Sequence, residues 1–269
     1  MGSLRAKQAS YIEVMKAISV GGLQGLTRRD RAMFDYIVES MHRYAAGSVD
    51  PNFEGYDADL KLYLPFDETS GATAHDLSGN GNTGTATGTT IVPGVFGKAR
   101  SFNGSSDFID CGSGSSIDIT ADLTLEAWIN VHDYTVKNAV FNAGYNGAYL
   151  LDLYATAAPE NRVILWHNST IILDIGNALQ PIDTWQHIAV TRSHTIDKKV
   201  RLYVNAVLKG TSAAYTTNPA AATQNLWIAR YSSEYADMII DEPRIYSRVL
   251  SVDEMYLHYL AGALKLGLI

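Results

Sequence analysis

The sequence has a single cysteine, Cys111, in 269 residues. One cysteine excludes a framework of intramolecular disulfides. Cys111 directly follows the strand-like run Phe108-Ile109-Asp110, and no cluster of basic residues surrounds it in the sequence. We therefore predict that Cys111 is a small buried apolar residue and not a reactive thiol.

Positive charge is also scarce. The chain has 21 lysines and arginines against 28 aspartates and glutamates, which gives a formal net charge of −7. Binding to nucleic-acid phosphates requires clustered lysine and arginine. The composition therefore excludes a nucleic acid as the main partner.

Long apolar runs are absent as well. No stretch approaches the roughly 20 consecutive apolar residues of a membrane span, and the N-terminus lacks the apolar run of a signal peptide. We expect synthesis in the cytoplasm without a signal peptide and without a membrane span. A protein of this kind that acts outside the cell leaves by another route, such as lysis that releases a virus particle.

The residues that are abundant favour β-structure. Apolar residues make up 46% of the chain and charged residues 18%, which is enough apolar material for a sizeable core. Short apolar runs alternate with clusters of Gly, Asn, Asp, Ser and Pro, a pattern typical of a β-sandwich or barrel. The candidate strands are residues 60–66, 100–102, 108–110, 123–131, 139–143, 148–154, 162–167, 171–175, 187–191, 200–204, 226–229 and 238–246.

The first 47 residues have a helical pattern instead. Ser10 and Glu13 are spaced as a capping box, and Thr27 and Asp30 form a weaker one. The second helix carries an apolar stripe that a helical pair of this size cannot bury alone. The stripe packs on the β-domain, on copies of itself, or on another protein, and the last two alternatives make it an anchor. The stripe consists of Met33, Phe34, Ile37, Val38, Met41 and Tyr44.

These patterns predict four segments. A helical anchor or oligomerisation segment covers residues 1–47, a linker residues 48–58, a β-domain residues 59–262 and a tail residues 263–269. A third capping box, Ser251 to Glu254, predicts a terminal helix that stops at Gly262.

Four ordered motifs resemble a known family. They are residues 62–71 (LYLPFDETSG) with 76–84 (DLSGNGNTG), residues 94–104 (GVFGKARSFNG), residues 123–129 (LTLEAWI) with 185–191 (WQHIAVT) and 202–206 (LYVNA), and residues 240–251 (IDEPRIYSRVLS). Together they resemble the laminin-G-like jelly-roll domains of the concanavalin A-like lectin/glucanase superfamily. The resemblance implies a mainly β fold, a jelly-roll sandwich of two antiparallel sheets, here with an N-terminal helical segment and a short C-terminal helix. Asn205-Ala206 departs from the Asp-Gly that is usual in such domains.

The resemblance also implies a structural calcium ion. In such domains the ion often lies between the turn at residues 76–84 and the aspartate of the late Ile-Asp-Glu segment, which nominates Asp76, Asn80 and Asp241, with Asp107 as a weaker candidate. The turn itself offers several oxygens close together, as a hard cation requires. The alternative is that these side chains only hold the turn through local hydrogen bonds.

Catalytic patterns are not found in the sequence. Glycoside hydrolysis needs two carboxylates at a defined separation, but Glu126 has Thr124 and Trp128 as its neighbours on the same strand face. His187 is predicted to be a packed core residue, and no histidine has a partner at metal-ligand spacing. We therefore predict a protein that is not an enzyme.

Aromatic residues in loops predict a sugar-binding surface. Sugars bind to aromatic faces beside a few convergent polar groups. The segment around residues 230–235 offers two aromatic rings, a cation and a carboxylate, and the loop at residues 145–149 offers two more rings. The alternative is that these rings cover the edges of the core. Trp128, Trp166 and Trp185 are predicted to lie in the core itself. The candidate sugar contacts are Arg230, Tyr231, Tyr235, Tyr145 and Tyr149.

Two functions follow from these features. The first is a surface component of a phage-like virion, homo-oligomeric, which displays a lectin-like domain toward host glycans and is anchored through its N-terminal helices. The alternative is a cellular carbohydrate-binding or adhesion module, located outside the cell or on its surface, exported without a signal peptide.

Overall fold

A computed structural model of the chain describes residues 57–154 and 161–268. The chain divides into two compact units, residues 58–259 and residues 1–57 with 260–269. The predicted N-terminal helices and all six residues of the apolar stripe lie outside the described residues. Within the described ranges, no helix is long and apolar enough to cross a membrane.

Residues 58–259 form a sandwich of two antiparallel sheets. Sheet 1 has the strand order β14-β13-β12-β7-β18-β5-β4, with β1 also paired to β18. Its strands are β1 (Leu60–Tyr63), β4 (Thr90–Pro93), β5 (Lys98–Asn103), β7 (Leu123–Val131), β12 (Trp185–Arg192), β13 (Val200–Val204), β14 (Val207–Thr211) and β18 (Asp237–Tyr246).

Sheet 2 has the order β11-β10-β9-β8-β15-β6-β3-β2. Its strands are β2 (Thr73–Ala74), β3 (Gly84–Thr87), β6 (Phe108–Asp110), β8 (Asn138–Asn142), β9 (Leu150–Tyr154), β10 (Arg162–His167), β11 (Thr170–Ile175) and β15 (Trp227–Ile228). A separate small hairpin consists of β16 (Arg230–Tyr231) and β17 (Glu234–Tyr235). The predicted sandwich of two antiparallel sheets is confirmed.

The core lies between the two sheets, because strand residues alternate between the faces. In β7, Leu125 and Ile129 point into the core, and in sheet 2 Phe141 and Leu151 do the same. Cys111 is buried in this core, as predicted, and burial raises the pKa of its thiol.

The helix α1 (Val252–Lys265) begins as predicted but ends later. The Ser251 hydroxyl accepts a hydrogen bond from the Glu254 amide at 3.2 Å, and the Glu254 carboxylate accepts one from the Ser251 amide at 2.8 Å. The predicted stop at Gly262 is wrong, because a glycine inside a helix is tolerated at a modest cost. The helix ends instead at Lys265. Gly267, just beyond this end, has a φ of +65°, and the backbone hydrogen bonds there form a Schellman motif.

Four predicted strands have the bounds that the sequence indicated: residues 108–110, 123–131, 162–167 and 200–204. Besides the two-residue strands β2, β16 and β17, three longer strands of the described ranges were not predicted, namely Gly84–Thr87, Thr90–Pro93 and Val207–Thr211. They are exposed along much of their length, and β3 is rich in Gly and Thr. A strand without a buried face gives no apolar alternation for a sequence pattern to detect.

Candidate functional site

The outer face of sheet 2 carries a row of side chains at one register. Asp110 of β6 lies opposite both Thr85 of β3 and Trp227 of β15. Trp227 in turn lies opposite Asn142 of β8. Directly opposed residues share a face of the sheet. Since Ile109 next to Asp110 is buried in the core, this row faces away from the core.

An open groove of about 810 Å³ lies over part of this face. Thr85 and Thr87 of β3, with Phe108 and Asp110 of β6, line its floor. Its walls come from residues 80–83 and 112–116, which are mainly Ser, Gly, Asn and Thr. Among the described lining residues, Asp110 is the one carboxylate and there is no lysine or arginine. The groove therefore offers hydroxyls, amides, one acid and one aromatic ring.

Asp110 organises the polar side of the groove. Its Oδ1 accepts hydrogen bonds from the Gly112 amide at 2.8 Å and from Asn225 Nδ2 at 3.0 Å. Its Oδ2 accepts one from the Trp227 indole Nε1 at 3.3 Å and contacts the same Asn225 nitrogen at 3.1 Å. These bonds lock the Trp227 ring and the Asn225 amide, so the site is pre-organised before any ligand arrives.

The β16–β17 hairpin lies beside the groove and is tied to sheet 2. Asn142 Nδ2 donates to the Arg230 carbonyl oxygen at 3.0 Å. One face of the hairpin carries Arg230 and Tyr235, and Phe108 of the groove contacts both. Phe108 also packs edge-on against Trp227, with ring centroids 6.2 Å apart. The structure thus brings the predicted Arg230 and Tyr235 together with two aromatic residues that were not predicted.

The other face of the hairpin carries Tyr231 and forms a second aromatic cluster. The Tyr231 ring lies 5.9 Å from Tyr145, and Tyr145 lies 5.1 Å from Trp166. The Lys137 ammonium sits over the Tyr231 ring at 4.5 Å. Trp166 is half-buried and faces outward with this cluster, so its placement in the core was wrong.

Tyr149 does not belong to either cluster. It is fully buried in the core, and its hydroxyl donates to the Ile117 carbonyl oxygen at 2.8 Å. The prediction of a sugar contact at Tyr149 is therefore wrong. Its neighbour Tyr145 is half-exposed because it lies in the turn, whereas Tyr149 directly precedes β9 and points inward.

Asp76 and Asn80, two of the predicted calcium ligands, hold their own turn. Asp76 Oδ1 accepts from the Tyr63 amide at 3.0 Å, and Oδ2 accepts from the Asn82 amide at 2.8 Å. The Ser78 amide and hydroxyl bond to the same carboxylate at 2.9 Å. Asn80 Nδ2 donates to the Leu60 carbonyl oxygen at 2.8 Å. These hydrogen bonds hold the turn in place, which is the role that the alternative to calcium binding assigns to the two side chains.

Asp241 and Asp107 lie in other surroundings. Asp241 is fully buried, and its Oδ2 accepts from the Phe96 amide at 2.9 Å. Burial, together with the adjacent Glu242 carboxylate, holds the pKa of Asp241 well above its usual range. Asp107 is buried and accepts from the Ser106 hydroxyl at 2.9 Å.

Each of the four predicted ligands makes hydrogen bonds within the protein. They make their hydrogen bonds to different segments, and the Asp76 oxygens are already occupied by N–H and O–H donors. In residues 57–154 and 161–268, no three His, Cys, Asp or Glu side chains are grouped to hold a metal ion. Calcium binding stays a prediction, with Asp241 Oδ1 as the buried carboxylate oxygen without a bonded donor.

Glu126 lies on the opposite side of the sandwich, in a buried ionic network. Its carboxylate contacts His258 of α1 at 2.8 Å, Arg244 at 3.4 Å and His187 at 3.7 Å. Burial raises the pKa of Glu126, but the three basic partners outweigh burial and the net shift is downward. His187 is buried as predicted. A carboxylate with no exposed surface, closed in by these partners, is a structural group that attaches the first turns of α1 to sheet 1.

The sequence patterns did not predict the groove itself. Phe108, Asp110, Asn225 and Trp227 were not among the predicted sugar contacts. No local sequence pattern indicates these residues as a group, because they come from two segments that lie more than a hundred residues apart in the chain. Only the pairing of β6 with β15 brings them together.

Several solved structures have a similar fold. The binding domain of paraclostridial mosquitocidal protein 1 is similar at 18% identity with a TM-score of 0.61, over 76% of this chain and 52% of that one. Domain 4 of AbnA, an extracellular arabinanase from Geobacillus stearothermophilus solved with arabinotriose, has 19% identity and a TM-score of 0.57, over 74% and 97%.

A third similar structure is the Trypanosoma rangeli sialidase in complex with sialic acid. It has 12% identity and a TM-score of 0.59, over 88% of this chain and 40% of that one. The chain thus spans about half of the mosquitocidal domain and nearly all of the arabinanase domain. Likeness at these identities establishes the fold and nothing further.

The sequence comparison is more specific. Curated protein sequences gave no match. The Laminin_G_3 family, described as the concanavalin A-like lectin/glucanases superfamily, matches residues 103–255, which is more than half of the chain. That span includes Phe108, Asp110 and Asn225 of the groove, and Trp227 beside it. The chain therefore belongs to the concanavalin A-like lectin/glucanase superfamily.

Proposed function

We propose that this chain is a non-catalytic carbohydrate-binding module whose ligand lies in the groove over β3, β6 and β15. The observation that carries the proposal is Asp110, which holds Trp227 and Asn225 in place beside the half-exposed ring of Phe108. A sugar presents apolar CH groups on one face and hydroxyls at its edges. An aromatic ring beside fixed amides and hydroxyls complements both.

The charge pattern of the groove supports binding over hydrolysis. Of the described residues that line it, Asp110 is the one carboxylate, and both of its oxygens are engaged by protein donors. Glycoside hydrolysis by the common mechanism uses two carboxyl groups on either side of the scissile bond. Superfamily membership and the arabinotriose complex of the similar arabinanase domain are consistent with sugar binding.

A bulky side chain in the groove tests the proposal. Thr85 is exposed, lies on β3 and faces the groove, so Thr85→Tyr fills the space without removing core packing. Glycan-array binding, followed by titration calorimetry on the strongest hits, should show a loss of affinity of about tenfold or more, since the ring occupies the volume of a sugar.

Thr90→Tyr is the matched control. Thr90 is equally exposed on a strand, but it belongs to β4 of sheet 1. We expect this variant to bind like the wild type. If the wild type binds no glycan, the function is wrong, and if Thr85→Tyr binds as well as Thr90→Tyr, the groove is not the site.

A role on a virion surface stays a prediction. It depends on the helical anchor of residues 1–47, which lies outside the described residues. The same holds for self-association through the stripe and for the alternative of a cellular adhesion module. Each of these roles is compatible with the same sugar-binding groove.

A further inference from the structure

Arg230 is held at the edge of the groove by three aromatic rings. The central carbon of its guanidinium lies 4.2 Å from the centroid of Trp227, 4.5 Å from Phe108 and 5.4 Å from Tyr235. Its Nε donates to the Ser232 carbonyl oxygen at 2.9 Å. An arginine side chain is normally mobile, and these contacts hold its planar head in one place.

The outer nitrogens of this guanidinium are not used within the protein. Among the described residues, no acceptor is bonded to Nη1 or Nη2 of Arg230, and no carboxylate forms an ion pair with it. The two nearby acids are engaged elsewhere. Asp110 accepts from Trp227, Asn225 and Gly112, and Glu234 lies on the opposite face of the hairpin, 3.4 Å from Lys137.

Arg162, on the outer face of sheet 2, provides a comparison. It forms a two-point pair with Asp174, Nε to Oδ1 at 2.9 Å and Nη2 to Oδ2 at 2.7 Å. Arg230 has the same fork of donors without a carboxylate in it. A guanidinium fork matches the two oxygens of a carboxylate in geometry and charge.

Phe108 links the guanidinium to the groove. The ring lines the groove floor and also contacts Arg230, so a sugar ring stacked on Phe108 would lie within reach of the guanidinium. Among the described residues, the groove lining itself offers no cation, so Arg230 beside it supplies the positive charge. A sugar carboxylate at this edge would pair with Arg230. The neutral hydroxyls of the glycan would contact the Thr, Ser and Asn side chains of the groove.

We infer that the groove selects an acidic glycan, and that Arg230 is the residue that recognises the carboxylate of a uronic or sialic acid. This inference rests on the proposed sugar-binding function and specifies its ligand class. A neutral glycan would leave the fork unpaired and would bind more weakly.

Matched pairs of oligosaccharides test the inference. Trigalacturonic acid is compared with its carboxyl-reduced form, galactotriose, and 3′-sialyllactose with its neutral carboxamide, by titration calorimetry on the full chain. We expect the acidic member of at least one pair to bind roughly ten- to a hundredfold more tightly, the range of a charge-assisted hydrogen-bond pair. Which pair responds distinguishes a uronic from a sialic acid.

Substitution of Arg230 provides the second arm. Arg230→Gln should abolish the preference for the acidic member while the affinity for the neutral one stays within about threefold. Arg230→Lys keeps the charge without the planar fork, and we expect an intermediate preference. Arg162→Gln is the control, since it removes an arginine of sheet 2 that does not line the groove and should leave the preference unchanged.

The outcomes separate this inference from the proposed function. The recognition of a carboxylate is wrong if neutral and acidic members bind with equal affinity. It is also wrong if Arg230→Gln lowers the affinity for both members equally. Neither result contradicts the proposed sugar-binding groove. If no member of either pair and no array glycan binds, both fail. A thermal melt of each variant identifies a loss that is due to unfolding.

Discussion

Asp152 is a carboxyl group buried on the outer face of sheet 2, beneath the second aromatic cluster. Neither of its oxygens has a hydrogen-bond partner of normal geometry among the described residues. Burial raises the pKa of Asp152 to about 7, with Lys137 opposing the shift and Glu234 adding to it. An aspartate in the unfolded chain titrates near 4. The fold therefore favours the protonated, neutral form.

This shift predicts a pH-dependent stability. Between about pH 4 and pH 7 the native protein keeps a proton that the unfolded chain has lost, so stability falls as the pH rises through that window. Asp152→Asn removes the titration. Its melting temperature relative to the wild type should rise between pH 4 and pH 8, as measured by calorimetry.

The control for this prediction is Asp253→Asn, which removes an exposed carboxylate from the first turn of α1. We expect no comparable change for that variant over the same range. If the difference in melting temperature between Asp152→Asn and the wild type does not change with pH, Asp152 does not titrate in this window.

At the scale of single residues, the sequence could predict burial but not partners. Cys111 and His187 were correctly predicted to be buried, because apolar strand neighbours indicate burial directly. Tyr149 and Trp166 were misassigned in opposite directions. Both lie on or next to strands of sheet 2, and a shift of one position along a strand exchanges the core face for the outer face.

The two hairpins next to the sandwich edges show how short elements shape the surface. The β16–β17 hairpin sends Arg230 and Tyr235 toward the groove and Tyr231 toward Lys137, because its opposed residues share a face. It therefore separates two aromatic clusters, one that holds Arg230 and one that holds Lys137. The sequence indicated the residues of this segment but not that they point to opposite sides.

The hairpin between β13 and β14 turns at Asn205-Ala206, with φ values of +51° and +61°. Two residues with positive φ match the type I′ turn, which favours Asn-Gly. Alanine in this left-handed region costs about 1–2 kcal/mol. We expect Ala206→Gly to raise the free energy of unfolding by roughly 1 kcal/mol, after the greater flexibility of glycine in the unfolded chain is subtracted.

Urea denaturation measures this change. Ala220→Gly serves as the control, since Ala220 is an exposed loop residue without a positive φ, and the same substitution there should destabilise by about 0.5–1 kcal/mol. A loss of stability in Ala206→Gly of the same size as in the control would mean that the turn is not strained.

At the scale of elements, sequence motifs predicted the helices and strands better than hydrophobic periodicity did. The third capping box was confirmed by its reciprocal hydrogen bonds. Strand β3 was missed although it forms the floor of the groove, because Gly84–Thr87 has no apolar alternation. The exposed strands that face a ligand are those for which the hydrophobic pattern is weakest.

For the sandwich as a whole, the two outer faces have different roles. The outer face of sheet 1 is closed where Glu126 and Trp128 contact His258 and Tyr259 of α1. The outer face of sheet 2 carries the open groove. Four ordered sequence motifs were sufficient to predict the sandwich, since they mark strands and turns that the fold requires. The location of the groove depends on long-range pairing, which local motifs do not encode.

The most direct test of the account is to locate a bound oligosaccharide on the sandwich. Backbone amide NMR shifts are recorded during titration with the strongest array ligand. The account predicts saturable shifts at Thr85, Asp110, Gly112 and Asn225, with the Trp227 indole N–H shifting as well, while Val200–Val204 of sheet 1 stays unchanged. Shifts confined to sheet 1 or to the sandwich ends would contradict it.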